Sequence, residues 1–161
     1  MDRFELGGWL QSLHDDAALA GAGVLAPDSA AHLILVDDLW VLVSLDEEDQ
    51  RLRIDVVLAD PPESLTDATL HRELLRWHFE RPHDLQHLQF ALAADGTVVC
   101  HSDWPLEPDT PFDTLTEQLH DLVDAVEDAW CQVCAQGLLA LAARPARSDS
   151  GSASIANNEL S

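Results

Sequence analysis

The residues with the most chemical potential in this chain are Trp130-Cys131-Gln132-Val133-Cys134. A CxxC pair preceded by Trp is the arrangement of a thiol-disulfide exchanger, in which a helix N-terminus beside a strand acidifies the first thiol. Here the apolar periodicity places Cys131 and Cys134 deep inside a helix that starts near Phe112, where the helix dipole no longer acts. No strand-helix-strand pattern precedes them. The expectation is two small residues on the inner half of a packing helix, with thiol exchange kept as the enzyme alternative. The eight histidines raise metal binding. His71 and His78 stand two turns apart on one expected helix, and His83 and His87 lie four apart around a loop, but no third ligand follows at a recognisable spacing. There is no Gly-rich phosphate loop and no Gly-x-Ser-x-Gly turn. With 30 acidic residues, no catalytic carboxylate pair stands out from the background. The sequence therefore predicts no catalytic residue, no metal and no cofactor.

Composition narrows the partners. The chain has 161 residues, 47% of them hydrophobic, which suits one domain with its own core. The formal charge of -22, with arginine as the sole strong base, argues against nucleic acid and against anionic membrane surfaces. No apolar run approaches the roughly 18 residues of a membrane span, and Asp2, Arg3 and Glu5 interrupt any signal-like opening. Three cysteines do not make a secreted disulfide framework. The expected location is the cytoplasm.

Periodicity supplies the elements. Phe4, Leu6, Trp9, Leu10, Leu13 and Ala17 recur at helical steps, predicting a first helix over residues 2–19 that Gly7 and Gly8 weaken. His32 to Val36, Leu39 to Leu45 and Arg51 to Leu58 alternate as an antiparallel meander with one buried face. Trp40, Leu42 and Val57 fall on the other face, as candidates for contact with a partner. Thr66-Asp67 caps a second helix running to about Arg81. Leu70, Leu74 and Trp77 cluster on one side of it, while Ala68, Leu75 and Phe79 cluster nearly opposite, so the helix needs two apolar partners. A hairpin turning at Asp95-Gly96 and a long helix from Phe112 to Ala143 follow. From Arg144 the composition turns to Ser, Ala, Asn and Gly, predicting a disordered tail over residues 144–161. The order is helix, three strands, helix, two strands, helix: a single α+β domain over residues 1–143, with helices covering a twisted antiparallel sheet.

That order, the acidity and the passage from Leu88 to Trp130 resemble the class I type III secretion chaperones, the Tir-chaperone-like family of small acidic bacterial proteins. Asp95-Gly96, Pro105-Leu106, Trp130 and the Leu74-Leu75 pair match the family's soft patterns. The resemblance implies a homodimer that binds the N-terminal region of a secreted effector, keeps it secretion-competent and delivers it to the export apparatus, with the secretion ATPase as a further candidate partner. The expected effector contacts are Phe4, Trp9, Leu13, Trp40, Leu42 and Val57. The dimer contacts are sought among Leu70, Leu74, Leu75, Trp77 and Phe79, with the face toward the partner left open. The alternative binding reading is a small regulatory or immunity-type protein that neutralises a partner through the same sheet.

Overall fold

The computed structural model describes residues 1–15, 31–93, 95–107 and 110–143. The first helix, α1 (Arg3–Asp15), opens on a reciprocal cap: the Glu5 amide donates to Asp2 Oδ1 at 2.9 Å and the Asp2 amide to Glu5 Oε2 at 2.7 Å. Its glycines are offset by packing, since Leu6, Trp9, Leu10 and Leu13 are all buried. The expected extension to residue 19 and the predicted tail lie outside the described residues.

The meander forms as β1 (Ala31–Val36), β2 (Leu39–Asp46) and β3 (Arg51–Val57). Asp37 and Asp38 both have positive φ, 47° and 68°, which is the backbone of the two-residue turn that suits the right-handed twist of a hairpin. Asp is among the few non-glycine residues that adopt this conformation readily, and the Asp37 carboxylate is held by His120 Nδ1 at 2.8 Å. The second helix, α2 (Asp67–Glu80), is capped by Thr66, whose hydroxyl accepts from the Thr69 amide. The hairpin of β4 (Gln89–Leu92) and β5 (Val98–Pro105) turns through Asp95 and Gly96, with Gly96 at φ 92°. Hydrogen bonds from Thr97 hold the Asp95 carboxyl below its ordinary pKa. The last helix, α3, spans Phe112–Ala142.

The strands make one five-stranded antiparallel sheet in the order β1-β2-β3-β5-β4. Its inner face carries Ile34, Val41, Val43, Ile54, Val56 and Cys100, all buried. Onto this core come α1, the stripe Leu115, Leu119, Leu122, Val126 and Val133 of α3, and Leu70, Leu74 and Trp77 of α2. Trp9 ties two helices together, its indole N–H donating to Thr116 Oγ1 at 3.1 Å. His78 ties α2 to β4: Arg81 donates to its Nδ1 at 2.8 Å, which leaves Nε2 to donate to the Phe90 carbonyl at 3.2 Å.

Candidate functional site

The register of the sheet assembles a feature that no single strand reveals. On the outer face Leu35 lies opposite Trp40, Trp40 opposite Val57, Val57 opposite Val99, and Val99 opposite Ala91. One apolar row thus crosses all five strands, about 19 Å at ~4.8 Å per strand. Trp40, the largest member, is 43% exposed. The next row begins with Leu33 and Leu42 and then becomes polar at Asp55 and His101. His101 Nδ1 is 2.7 Å from Asp55 Oδ1, and its Nε2 is 3.3 Å from Asp103 Oδ2. Asp103 in turn lies 3.6 Å from Arg53 Nε. On β3 and β5 the outer face therefore passes from an apolar band to a connected line of charges within two residue steps.

The sequence-derived contacts divide on inspection. Trp40, Leu42 and Val57 stand on the outer face as expected, with Leu42 and Val57 half-buried among their neighbours. Trp9 and Leu13 require a correction: they are 0% and 3% exposed and belong to the core under α1. Helical spacing had put them on one face, and the sheet together with α3 covers that face. Phe4 falls within α1, but its side chain lies outside the described residues. The interface set on α2 is corrected in the same way. Leu70, Leu74 and Trp77 are buried within the protomer, and Trp77 meets Phe90 edge-on at 4.8 Å between ring centroids. Leu75 and Phe79 point away from that core, 61% and 88% exposed. The outward cluster of α2 is thus Leu75 and Phe79, with Leu92 of β4 a further exposed apolar residue.

A second surface lies along β5. Because β4 pairs only with Val98 to His101, Ser102 to Pro105 are bonded on one side, to β3, and open on the other among the described residues. This half-edge borders a cleft of about 830 Å³ against α3, floored by Trp104, Leu115 and Leu122 and rimmed by Asp103, Glu107 and Asp121. An open strand edge with an acidic rim can accept an extended, basic or neutral segment by strand addition.

On α3, Cys131 is exposed and Cys134 half-buried, so the pair does not sit on the inner half of the helix as the apolar periodicity predicts. Burial, followed by the neighbouring Cys131 thiol, pushes the Cys134 thiol above its ordinary value, opposite to what a nucleophilic thiol requires. Burial pushes Cys100, on the inner face of β5, to about 12. Among the described residues no group of three or more His, Cys, Asp and Glu is placed to hold a metal ion, and no helix is long and apolar enough to cross a membrane.

No protein-family model matches the chain, and no curated protein matches it. Among the described residues, three α-helices and a five-stranded antiparallel sheet make an α+β fold. A chain in the crystal structure of the ExsC-ExsE complex aligns with a TM-score of 0.52 at 18% identity, over 79% of this chain and 92% of that one. Chains from two further structures align more loosely. One is the HopA1-SchA chaperone-effector complex, with a TM-score of 0.47 at 16% identity over 80% of this chain and 96% of that one. The other is the heterodimeric ExoU-SpcU complex from the type III secretion system of Pseudomonas aeruginosa, at 0.44 and 17% over 72% and 86%.

Proposed function

We propose that this chain is a non-enzymatic chaperone of a type III secretion system, acting in the bacterial cytoplasm as a homodimer. It binds the unfolded N-terminal region of one or more effectors and presents them to the export apparatus. The observation that carries this reading is the open apolar row through Leu35, Trp40, Val57, Val99 and Ala91, a surface suited to an extended or helical apolar segment rather than to a reaction. Its place on a fold shared with a chain of the ExsC-ExsE complex supports the same conclusion. The outward Leu75 and Phe79 of α2 support self-association, since an apolar pair this exposed gains from burial against a second copy. The charge of -22 acts mainly before contact, steering basic segments toward the surface.

The test is association and dissociation of a candidate effector N-terminal segment, measured against salt and against Trp40→Ala. The expected result is a heat-capacity change typical of apolar burial, weaker binding by the variant, and an association rate that falls between about 0.05 and 0.5 M salt while dissociation barely moves. A dissociation rate rising steeply with salt would overturn the apolar-surface reading. So would a bound partner that remains folded, which is the outcome a regulatory or immunity-type protein would give.

A further inference from the structure

The chaperone reading leaves the CxxC motif of α3 without a role. Cys131 is exposed and Cys134 half-buried in the interior of that helix, so solvent reaches the pair. Three residues of helix put both side chains on one face, with Cβ atoms about 5–6 Å apart. Their electrostatics show the same proximity, since charge on Cys131 contributes to pushing the Cys134 thiol up. A disulfide is a poor fit, because it needs Cβ atoms only about 3.5–4.5 Å apart. The backbone resists the unwinding that would close that gap. Trp130, Val133 and Gly137 around the pair are buried, and Gly137 lies so close under Leu65 that an added Cβ would stand 2.6 Å from Leu65 Cδ1.

One atom placed between the sulfurs removes the mismatch. Two metal–sulfur bonds of about 2.3 Å allow the sulfurs to stand up to about 4.6 Å apart, a span that one helical turn supplies without distortion. Thiolates select soft metals, among them Cu(I), Zn²⁺ and iron–sulfur clusters. Coordination number separates these candidates. Structural Zn²⁺ and iron–sulfur clusters are held by four protein ligands, whereas no His, Asp or Glu joins the two thiols in a group of three among the described residues. Cu(I) is satisfied by two sulfurs in a near-linear arrangement. A sequence search for three or four ligands at a recognisable spacing passes over such a pair. The local charge suits a cation: Asp124, Glu127 and Asp128, all exposed, precede the cysteines by one to two turns.

We propose that Cys131 and Cys134 form a binding site on α3 for one soft monovalent metal ion, Cu(I), held between their two sulfurs. Binding breaks both S–H bonds and forms two Cu–S bonds. The two protons pass to solvent, the ion enters and stays as Cu(I), and no electron changes hands. The shift that makes Cys134 a poor nucleophile slows its oxidation. It does not prevent ligation, because a bound metal removes the thiol proton outright. The stripe of α3 that packs on the core faces the inner side of the sheet. The site therefore shares no residue with the outer apolar row, and it stands or falls apart from the chaperone reading.

The experiment titrates the full, reduced chain without oxygen against the coloured Cu(I) complex of bathocuproine disulfonate, following loss of the chelator's colour. Uptake of one ion per chain is expected, with thiolate-to-copper absorption in the near ultraviolet and two sulfur neighbours by X-ray absorption. Cys131→Ser alters an exposed position, so it should leave the melting temperature unchanged while weakening Cu(I) by about 100-fold or more, through loss of the second point of attachment. Cys134→Ala should weaken it to the same extent. Zn²⁺, offered two of the four ligands it prefers, should bind at least about 100-fold more weakly than Cu(I). No uptake against the chelator, one ion shared by two chains, indifference to either variant, or Zn²⁺ held as tightly as Cu(I) would overturn the proposal. So would ready closure of the pair to a disulfide in air, which the spacing on an intact helix forbids.

Discussion

The two faces of the sheet are written by alternate residues of the same strands and meet opposite fates. On β2, Val41, Val43 and Leu45 are buried beneath the helices, while Trp40 and Leu42, one step out of phase, belong to the outer face. The difference is not hydrophobicity, since both faces carry large apolar side chains. It is whether an element of the same chain lies over them. Trp9 and Trp40 make the contrast sharpest: one is fully enclosed with its indole N–H bonded to Thr116, the other stands open in a row of apolar neighbours. Apolar content marks a surface that wants covering, and only the topology tells whether the chain covers it or leaves it to a partner.

The contrast can be broken most directly at Trp9. Trp9→Ala should cost about 3–5 kcal/mol of stability, read as a fall in the denaturant midpoint, because it empties a large enclosed site. A cost near zero would move Trp9 out of the core. Phe79→Asp, on the open side of α2, should leave the protomer folded by circular dichroism yet halve the mass seen by sedimentation at micromolar concentration, through several kcal/mol of unfavourable charge burial at the interface. A wild-type chain that already sediments as a monomer would remove the second copy from the account. Thr116→Val should cost about 1–3 kcal/mol, since it leaves the indole N–H of Trp9 buried without an acceptor. Trp40→Ala, by contrast, should change stability by no more than about 0.5 kcal/mol while weakening effector binding. The smallest effect is chemical: a thiol reagent at neutral pH should modify exposed Cys131 and spare Cys100, which is buried with its thiol pushed up to about 12. Rapid loss of Cys100 would mean that the inner face opens readily.

Local chemistry made much of the fold legible. Period-two alternation marked the strands, helical spacing marked the helices, and Asp95-Gly96 marked the second hairpin. The Asp2-x-x-Glu5 cap is equally local and could have been read from the same stretch. What periodicity cannot say is which of two apolar faces the chain covers with its own elements. That is why spacing alone groups Leu70, Leu74 and Trp77 with Leu75 and Phe79, and does not separate Trp9 and Leu13 from Trp40. The five-strand row depends on register between segments as distant as Leu35 and Ala91, and the Asp55–His101 contact joins residues 46 apart. No local pattern encodes either one.

The connection of Trp9 to Thr116 spans 107 residues, and it orders events in time. The meander from β1 to β3 closes through two tight turns between sequence neighbours, which costs little chain entropy and proceeds quickly. The bond between Trp9 of α1 and Thr116 can form only once α3 is in place. An element that joins late, carries Gly7 and Gly8 and is held by so distant a partner is the one expected to detach first. Native-state hydrogen exchange should therefore find the amides of α1 less protected than those of β2 and β3. Each detachment would bare Leu6, Leu10 and the inner sheet for a moment without dissolving the rest of the molecule.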